Sequence, residues 1–391
     1  MTPICLVLKA HEPWRMRRYN YFDVGRRHDY FDSEASRRLL LRFDEISLRP
    51  ALAMLERLVA REPRFAFALA FSGPLLDQIE RVSPSRIADL RRLVGSGRVE
   101  PLSATSHRRL PWPISPAELL RQVRADRARV ARRLGVLPRV FGTEPVADLE
   151  TLAGALEGEG FAGVFLEASS GLPSGDSRRR LYRATEGRAL PVLVDEERLS
   201  GDVGRRFSDR RWASWPLSAE KFDGWISASP GDILGLLIDV GTFGLAHRRE
   251  SGIFEFFEEW VLLALERAEQ RFLTPSEVVA QLPAAASLPA RSVSVPAVNE
   301  LQQDVLSELA ALEPLLEAGD PAAAEDFRRL ASRDTLSAMA LRAGGPASSG
   351  DGAFASPYEA YMSLRHALTD VARRLARPAA DRSILASASP A

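Results

Sequence analysis

The chain has 391 residues, 46% of them hydrophobic, enough for a large buried core in one big domain with a smaller one beside it. Its 52 basic and 52 acidic residues balance, so no overall field favours nucleic acid or an anionic membrane as partner. Cys5 is the single cysteine, which excludes an internal disulfide and a thiolate metal cluster.

The first apolar run, Ile4 to Leu8, is too short for a signal-peptide core or a membrane span. A soluble, cytoplasmic protein is expected. Only Lys9 and Lys221 among the bases are lysine, and because acids are interspersed with the arginines the skew reads as composition bias. Up to about residue 275, short apolar runs alternate with longer stretches of helical period. That pattern predicts βα units around a parallel sheet or barrel. The expected strands are Ile4 to Lys9, Phe65 to Phe71, Val99 to Leu102, Arg139 to Thr143, Gly163 to Glu167 and Ile233 to Asp239. Helices are expected from Ser33 to Ala60, from Ser115 to Leu134 with Ser115 and Glu118 as a capping box, and from Ile253 to Arg271. The Pro/Ala/Ser-rich segment 283–296 reads as a connector. Beyond it the pattern is helical only: Asn299 to Glu317, Pro321 to Leu341 and Pro357 to Leu375, with a Gly/Ser-rich loop at Gly344 to Gly352 and a disordered tail after Arg377.

Two acids stand at the carboxyl ends of expected strands, Glu144 after Val140-Phe141-Gly142-Thr143 and Asp239 after Leu234-Gly235-Leu236-Leu237-Ile238. Barrels of parallel strands gather functional groups at that end, and a carboxyl pair is the minimal equipment for cutting a glycosidic bond. Glu144 equally suits the positive end of a following helix. Asp239 is costly if buried without partners, so a role or a tight set of hydrogen bonds is expected there. His11 follows the first strand. The aromatic residues Trp14, Tyr19, Tyr21, Phe22, Tyr30 and Phe31 suit either a sugar-stacking platform or packing under a long loop. The five histidines, His11, His28, His107, His247 and His366, show no pair at zinc-ligand spacing. Phosphate-cradling, dinucleotide and serine-hydrolase motifs are absent from the sequence.

At His11-Glu12-Pro13-Trp14, Gly97-Arg98-Val99-Glu100, Gly142-Thr143-Glu144, Asp239-Val240-Gly241-Thr242-Phe243-Gly244 and Ser356-Pro357-Tyr358-Glu359, the chain resembles glycoside hydrolase family 57, particularly its α-amylase branch. The resemblance runs in order over nearly the full length. It implies an α/β fold, a distorted (β/α)7 barrel over 1–282, then the connector 283–296, a helical bundle over 297–377 and the tail 378–391. It also implies a retaining hydrolase or transglycosylase for α-glucans or related oligosaccharides, with a saccharide as partner and with neither metal nor organic cofactor. Glu144 matches the nucleophile and Asp239 the general acid/base. His11 matches a residue lining the sugar subsite, and Trp14, Glu100, His107, Phe243, His247 and Asp334 are the further expected saccharide contacts. A retaining pair needs one carboxyl ionised and one protonated. Asp239, ending an apolar strand, is expected to be the protonated one, with His11 helping to keep Glu144 ionised.

The departures from the family pattern are as specific as the matches. The arginine that usually precedes the nucleophile is missing before Gly142. Gly241, Leu245 and Ala246 stand where the family has two acids and a histidine, with His247 one position beyond. Ala104 and Arg108 replace a glutamate and a histidine, with His107 one position away, and Thr335 replaces the histidine after Asp334. Two readings follow: an enzyme that retains its acid pair, or an amylase-like protein that binds saccharide or a protein partner without cleaving. A third has Arg108, Arg248 and Arg249 reading an acidic or phosphorylated sugar.

Overall fold

The structure is a computed structural model describing residues 2–146, 148–168, 172, 178–267, 270–284, 286–288, 298–340 and 353–376. The expected tail and the Gly344 to Gly352 loop lie outside these residues, as does most of the connector. The chain folds into two compact units that interleave in sequence. The first is 1–12, 37–106 and 119–294; the second is 13–36, 107–118 and 295–391. Composition alone suggested one boundary, near 283–296. The loops 13–36 and 107–118 belong instead to the helical unit because their apolar side chains, Met16, Tyr19, Tyr30 and Trp112, are buried in its core.

Nine strands are described in the first unit: β1 Ile4–Ala10, β2 Phe67–Phe71, β3 Val99–Pro101, β4 Val140–Gly142, β5 Gly163–Leu166, β6 Tyr182–Arg183, β7 Pro191–Val194, β8 Leu234–Asp239 and β9 Ala286–Ser287. Parallel ladders join β3, β2, β1 and β8 in that order, and β4, β5 and β7 in another. Two parallel bridges, Ser103 with Phe141 and Asp195 with Gly235, join these sets at both edges. The result is a closed ring of seven parallel strands, the fold the sequence implies.

Strand alternation sorts the side chains. Cys5, Val7, Ala68, Leu102, Val140, Phe165, Leu193 and Leu237 form one buried cluster inside the ring. Ile4, Leu6, Leu8, Phe67, Leu69, Leu236 and Ile238 belong to a second cluster shared with the surrounding helices. Gly235 shows why an apolar strand carries a glycine here: a Cβ would stand 2.7 Å from the Val194 carbonyl oxygen and 3.3 Å from the Phe165 ring.

One strand of the ring, β7, is not among the strands expected from the sequence; it opens with Pro191, which weakens a strand signal. The expected helix from Ser33 to Ala60 is continuous in outline, but Asp44–Leu48 winds as a π-helix between Ser33–Phe43 and Arg49–Arg61. The Ser115 capping box is half formed. Ser115 Oγ accepts from the Glu118 N–H, whereas the Ser115 N–H donates to Glu313 and Glu118 pairs with Arg328. Within the expected connector, Ala286–Ser287 forms β9 beside β6.

The second unit packs the helices Glu300–Leu312, Pro321–Leu330 and Pro357–Leu375 around Leu309, Phe327, Leu330, Leu364 and Leu368. Asp370, buried in the last helix, accepts from the Gly25 N–H (2.6 Å) and the Tyr30 hydroxyl (2.5 Å), and its Oδ2 lies 2.6 Å from His28 Nδ1. Tyr19 and Tyr30 are therefore core residues of a folded loop rather than a stacking platform, while Tyr21 and Phe22 are exposed.

Candidate active site

The carboxyl ends of the strands carry the polar side chains of the barrel. Glu144, two residues beyond β4, is only 1% exposed. Its Oε1 accepts from the Thr105 backbone N–H at 2.6 Å, and the Thr105 hydroxyl lies 2.8 Å from both carboxylate oxygens. Thr143 places it there in an unusual conformation, with φ of 67°. A β-branched residue rarely adopts the left-handed region, and such strain persists where surrounding contacts over-determine it.

Thr105 is itself positioned by Asp126, a fully buried acid on the helix Pro116–Leu134. Asp126 accepts from the Ala104 N–H at 2.8 Å and the Ser103 hydroxyl at 3.1 Å, fixing the turn after β3. Burial pushes the Asp126 carboxyl up, and Arg129 beside it works the other way. Arg129 also approaches the Ser106 carbonyl, and both crowd Gly73, where a Cβ would stand 2.4 to 2.5 Å from them. Next to Gly73, Ser72 Oγ lies 2.6 Å from His11 Nδ1. None of Ser72, Thr105 and Asp126 is visible as functional in the sequence, because each acts through residues distant along the chain.

Asp239 differs from the expectation. It shares the inner face of β8 with Leu237, yet its side chain is exposed, so the burial on which the expected protonation rested is absent. Its Oδ1 accepts from the Gly241 N–H at 2.8 Å and caps the short turn Val240–Thr242. The buried acid of this region is Asp195, directly after β7. Its carboxyl is pushed up to about 7, chiefly by burial. Asp195 Oδ1 accepts from the Ser200 hydroxyl (2.5 Å) and the Leu237 N–H (3.1 Å), which supplies a partner to β8 where β7 has ended. Lys9 and Glu167 complete this set, paired at 3.1 Å.

The sequence profile describing glycosyl hydrolase family 57 matches residues 5–291. The chain belongs to this family. A Methanocaldococcus jannaschii protein provisionally named an alpha-amylase is 27% identical over 219 residues, covering 56% of this chain and 46% of that one. This chain thus spans about half the length of the curated relative it matches. A family 57 branching enzyme from Thermococcus kodakaraensis superposes with a TM-score of 0.64 at 13% identity, covering 86% of this chain and 85% of the other. An alpha-amylase from Thermotoga maritima gives 0.63 at 11% identity, with 93% and 92% covered. At such identities the structural likeness establishes the fold.

Three family positions expected to touch saccharide are committed elsewhere in this family 57 barrel. Phe243 is completely buried against Phe254 and Phe257, leaving no ring face for a sugar. His247 is buried too, with Nε2 3.0 Å from the Val203 carbonyl oxygen and its ring against Phe207; burial lowers its basicity. His247 thus lies on the core side of the turn that follows β8. Glu100 lies inside the barrel, accepting from the Ser276 N–H (2.8 Å) and hydroxyl (2.5 Å) at the start of the helix Pro275–Gln281. Burial raises the Glu100 carboxyl, and the Ser276 donors oppose that rise.

The remaining candidates belong to the helical unit. Trp14 and Asp334 line a cavity of about 110 Å³ together with Met16, Thr335 and Phe354. The Arg329 guanidinium lies 5.5 Å from the Trp14 ring centre. His107 is buried, its Nε2 3.2 Å from Glu325 Oε1. Arg108, one of the arginines proposed to read an acidic sugar, is also buried, with φ of 54°. Among the described residues, no group of three or more His, Cys, Asp or Glu side chains is arranged to hold a metal ion. No described helix is long and apolar enough to cross a membrane.

Proposed function

We propose that this chain is a retaining glycoside hydrolase or transglycosylase acting on α-glucans or related oligosaccharides, with Glu144 as nucleophile and Asp239 as general acid/base. The observation that carries this reading is the environment of Glu144. A buried carboxylate gripped by a backbone N–H and a hydroxyl, after a strained residue at the carboxyl end of a barrel strand, is expensive for stability alone and suited to attack from a fixed position. In the first step a Glu144 oxygen bonds to the anomeric carbon as the glycosidic C–O bond breaks, and Asp239 gives its proton to the departing oxygen. Water or a sugar hydroxyl then attacks that carbon, Asp239 takes the incoming proton, and Glu144 leaves as carboxylate. Exposure of Asp239 suits a group that must meet both the departing oxygen and the incoming water or sugar hydroxyl.

A second reading, saccharide binding without cleavage, is favoured by the burial of Phe243 and His247, which leaves few polar groups after β8 to hold a sugar. One experiment separates the two: incubation with maltooligosaccharides and a panel of aryl α-glycosides, comparing the native chain with Glu144→Gln and Asp239→Asn. The enzyme reading expects product from the native chain and its loss in Glu144→Gln. Binding by calorimetry with no product from any of the three proteins would establish the second reading instead.

A further inference from the structure

Lys9 is one of two lysines in a chain whose other bases are arginine, and it stands on the inner face of β1, in step with Cys5 and Val7 of the barrel interior. It is the register partner of Asp239 on β8, so the two side chains leave adjacent strands on one face. Its ammonium lies 3.1 Å from Glu167, the residue after β5, and both side chains are largely buried. Asp195, after β7, is close enough to both to feel them, with Lys9 favouring its ionised form and Glu167 opposing it. One compact cation thus pairs with Glu167, lies near Asp195 and shares a register position with Asp239 on the neighbouring strand; on its own strand His11 follows, bonded to Ser72.

We propose that Lys9 is a positioning residue for the saccharide chemistry: paired with Glu167 beside Asp195, and in register with Asp239, its single positive charge sets the electrostatic balance among the acids at these strand ends. An ammonium suits this place better than a guanidinium, because a point charge on a slender stem serves several carboxylates without imposing a planar fork. Lys9 acts through the acids and touches no bond that is made or broken. The inference rests on the function proposed above only for its catalytic consequence; the coupling of Lys9 to the acids stands apart from it.

The test follows the Asp195 carboxyl by NMR in the full chain labelled with carboxyl-13C aspartate, the signal being assigned by its loss in Asp195→Asn. Lys9→Met is expected to raise the Asp195 titration midpoint and Glu167→Gln to lower it, each by about one pH unit, while Lys9→Arg restores the midpoint. A merely structural role for Lys9 does not predict opposite signs. The basic limb of the kcat/KM profile on an aryl α-glycoside moves upward in Lys9→Met, because the general acid then keeps its proton to higher pH. Midpoints that stay put, or move in the same direction in both variants, overturn the proposal. If Lys9→Met does not fold, Lys9→Gln takes its place: a raised midpoint supports the charge coupling and an unchanged one refutes it. An NMR result as expected from a chain that cleaves no glycoside overturns the enzymatic reading and leaves the coupling intact.

Discussion

The ends of β4 and β8 each deliver one acid to the barrel, and they are built in opposite ways. At β4, Glu144 is buried and held by Thr105, which Asp126 positions from a third element. At β8, Asp239 is exposed and accepts from the Gly241 N–H, two residues along its own chain. The first arrangement is assembled from distant segments and fixes a group in place; the second is local and leaves its group free. The contrast matches the needs of a nucleophile that must be aimed and an acid/base that must reload. It also explains how Asp239 keeps its turn although the polar residues around it are replaced, since a local turn needs no neighbours.

Replacing each acid is the sharpest way to break this contrast. Glu144→Gln is expected to lower kcat on every substrate by about 1,000-fold or more. Asp239→Asn should slow the first step only for poor leaving groups: an activated aryl group is still released in a burst, since its departure needs no proton, and slow turnover follows because the incoming water has lost its base. Absence of the burst in Asp239→Asn on an activated substrate would show the two acids are not divided into these roles.

A third acid, Asp195, extends the comparison to stability. Its folded-state pKa of about 7 lies above the ordinary aspartate value, so between about pH 4 and 7 the folded state binds more protons than the unfolded one. The contribution of Asp195 to stability is therefore greatest below that window and falls as pH rises through it. Asp195→Asn should remove the fall, a gain of up to about 4 kcal/mol at pH 8 relative to pH 4. Denaturant unfolding at both pH values measures it, and an unchanged slope in the variant would detach Asp195 from the effect.

Smaller changes probe the β4 end alone. Thr105→Val removes the hydroxyl on Glu144 while keeping the side-chain shape, and should cost about 1–2 kcal/mol of stability and about tenfold in kcat. Thr143→Gly relieves the left-handed strain. It should leave stability within about 1 kcal/mol of the native chain, strain relief offsetting the looser unfolded state, while lowering kcat through a less firmly held Glu144. A thermal melt beside steady-state kinetics checks both, and a Thr143→Gly variant with undiminished kcat would show that the strain has no part in aiming the nucleophile.

What could be read in the sequence follows from the range of the interactions involved. Six of the seven barrel strands are legible from short apolar stretches alternating with helical periods, and β7 escapes because its run opens with Pro191. Tyr19 and Tyr30 sit in an ambiguous aromatic run, and their burial against the helical unit resolves it. Phe243 and His247 match a family motif, but matching a motif does not reveal which way a side chain turns, and both turn into the core.

By itself the sequence determined the alternation of strands and helices, the family, and the two acids at strand ends, because these depend on local periodicity and on residues that are neighbours in the chain. Only the tertiary structure decided that Glu144 is buried under Thr105, that Asp239 is open, and that Lys9 pairs with Glu167 beside Asp195, in register with Asp239. Those outcomes depend on which strand ends meet when the ring closes, and ring closure brings together residues more than 150 positions apart, such as Lys9 and Glu167.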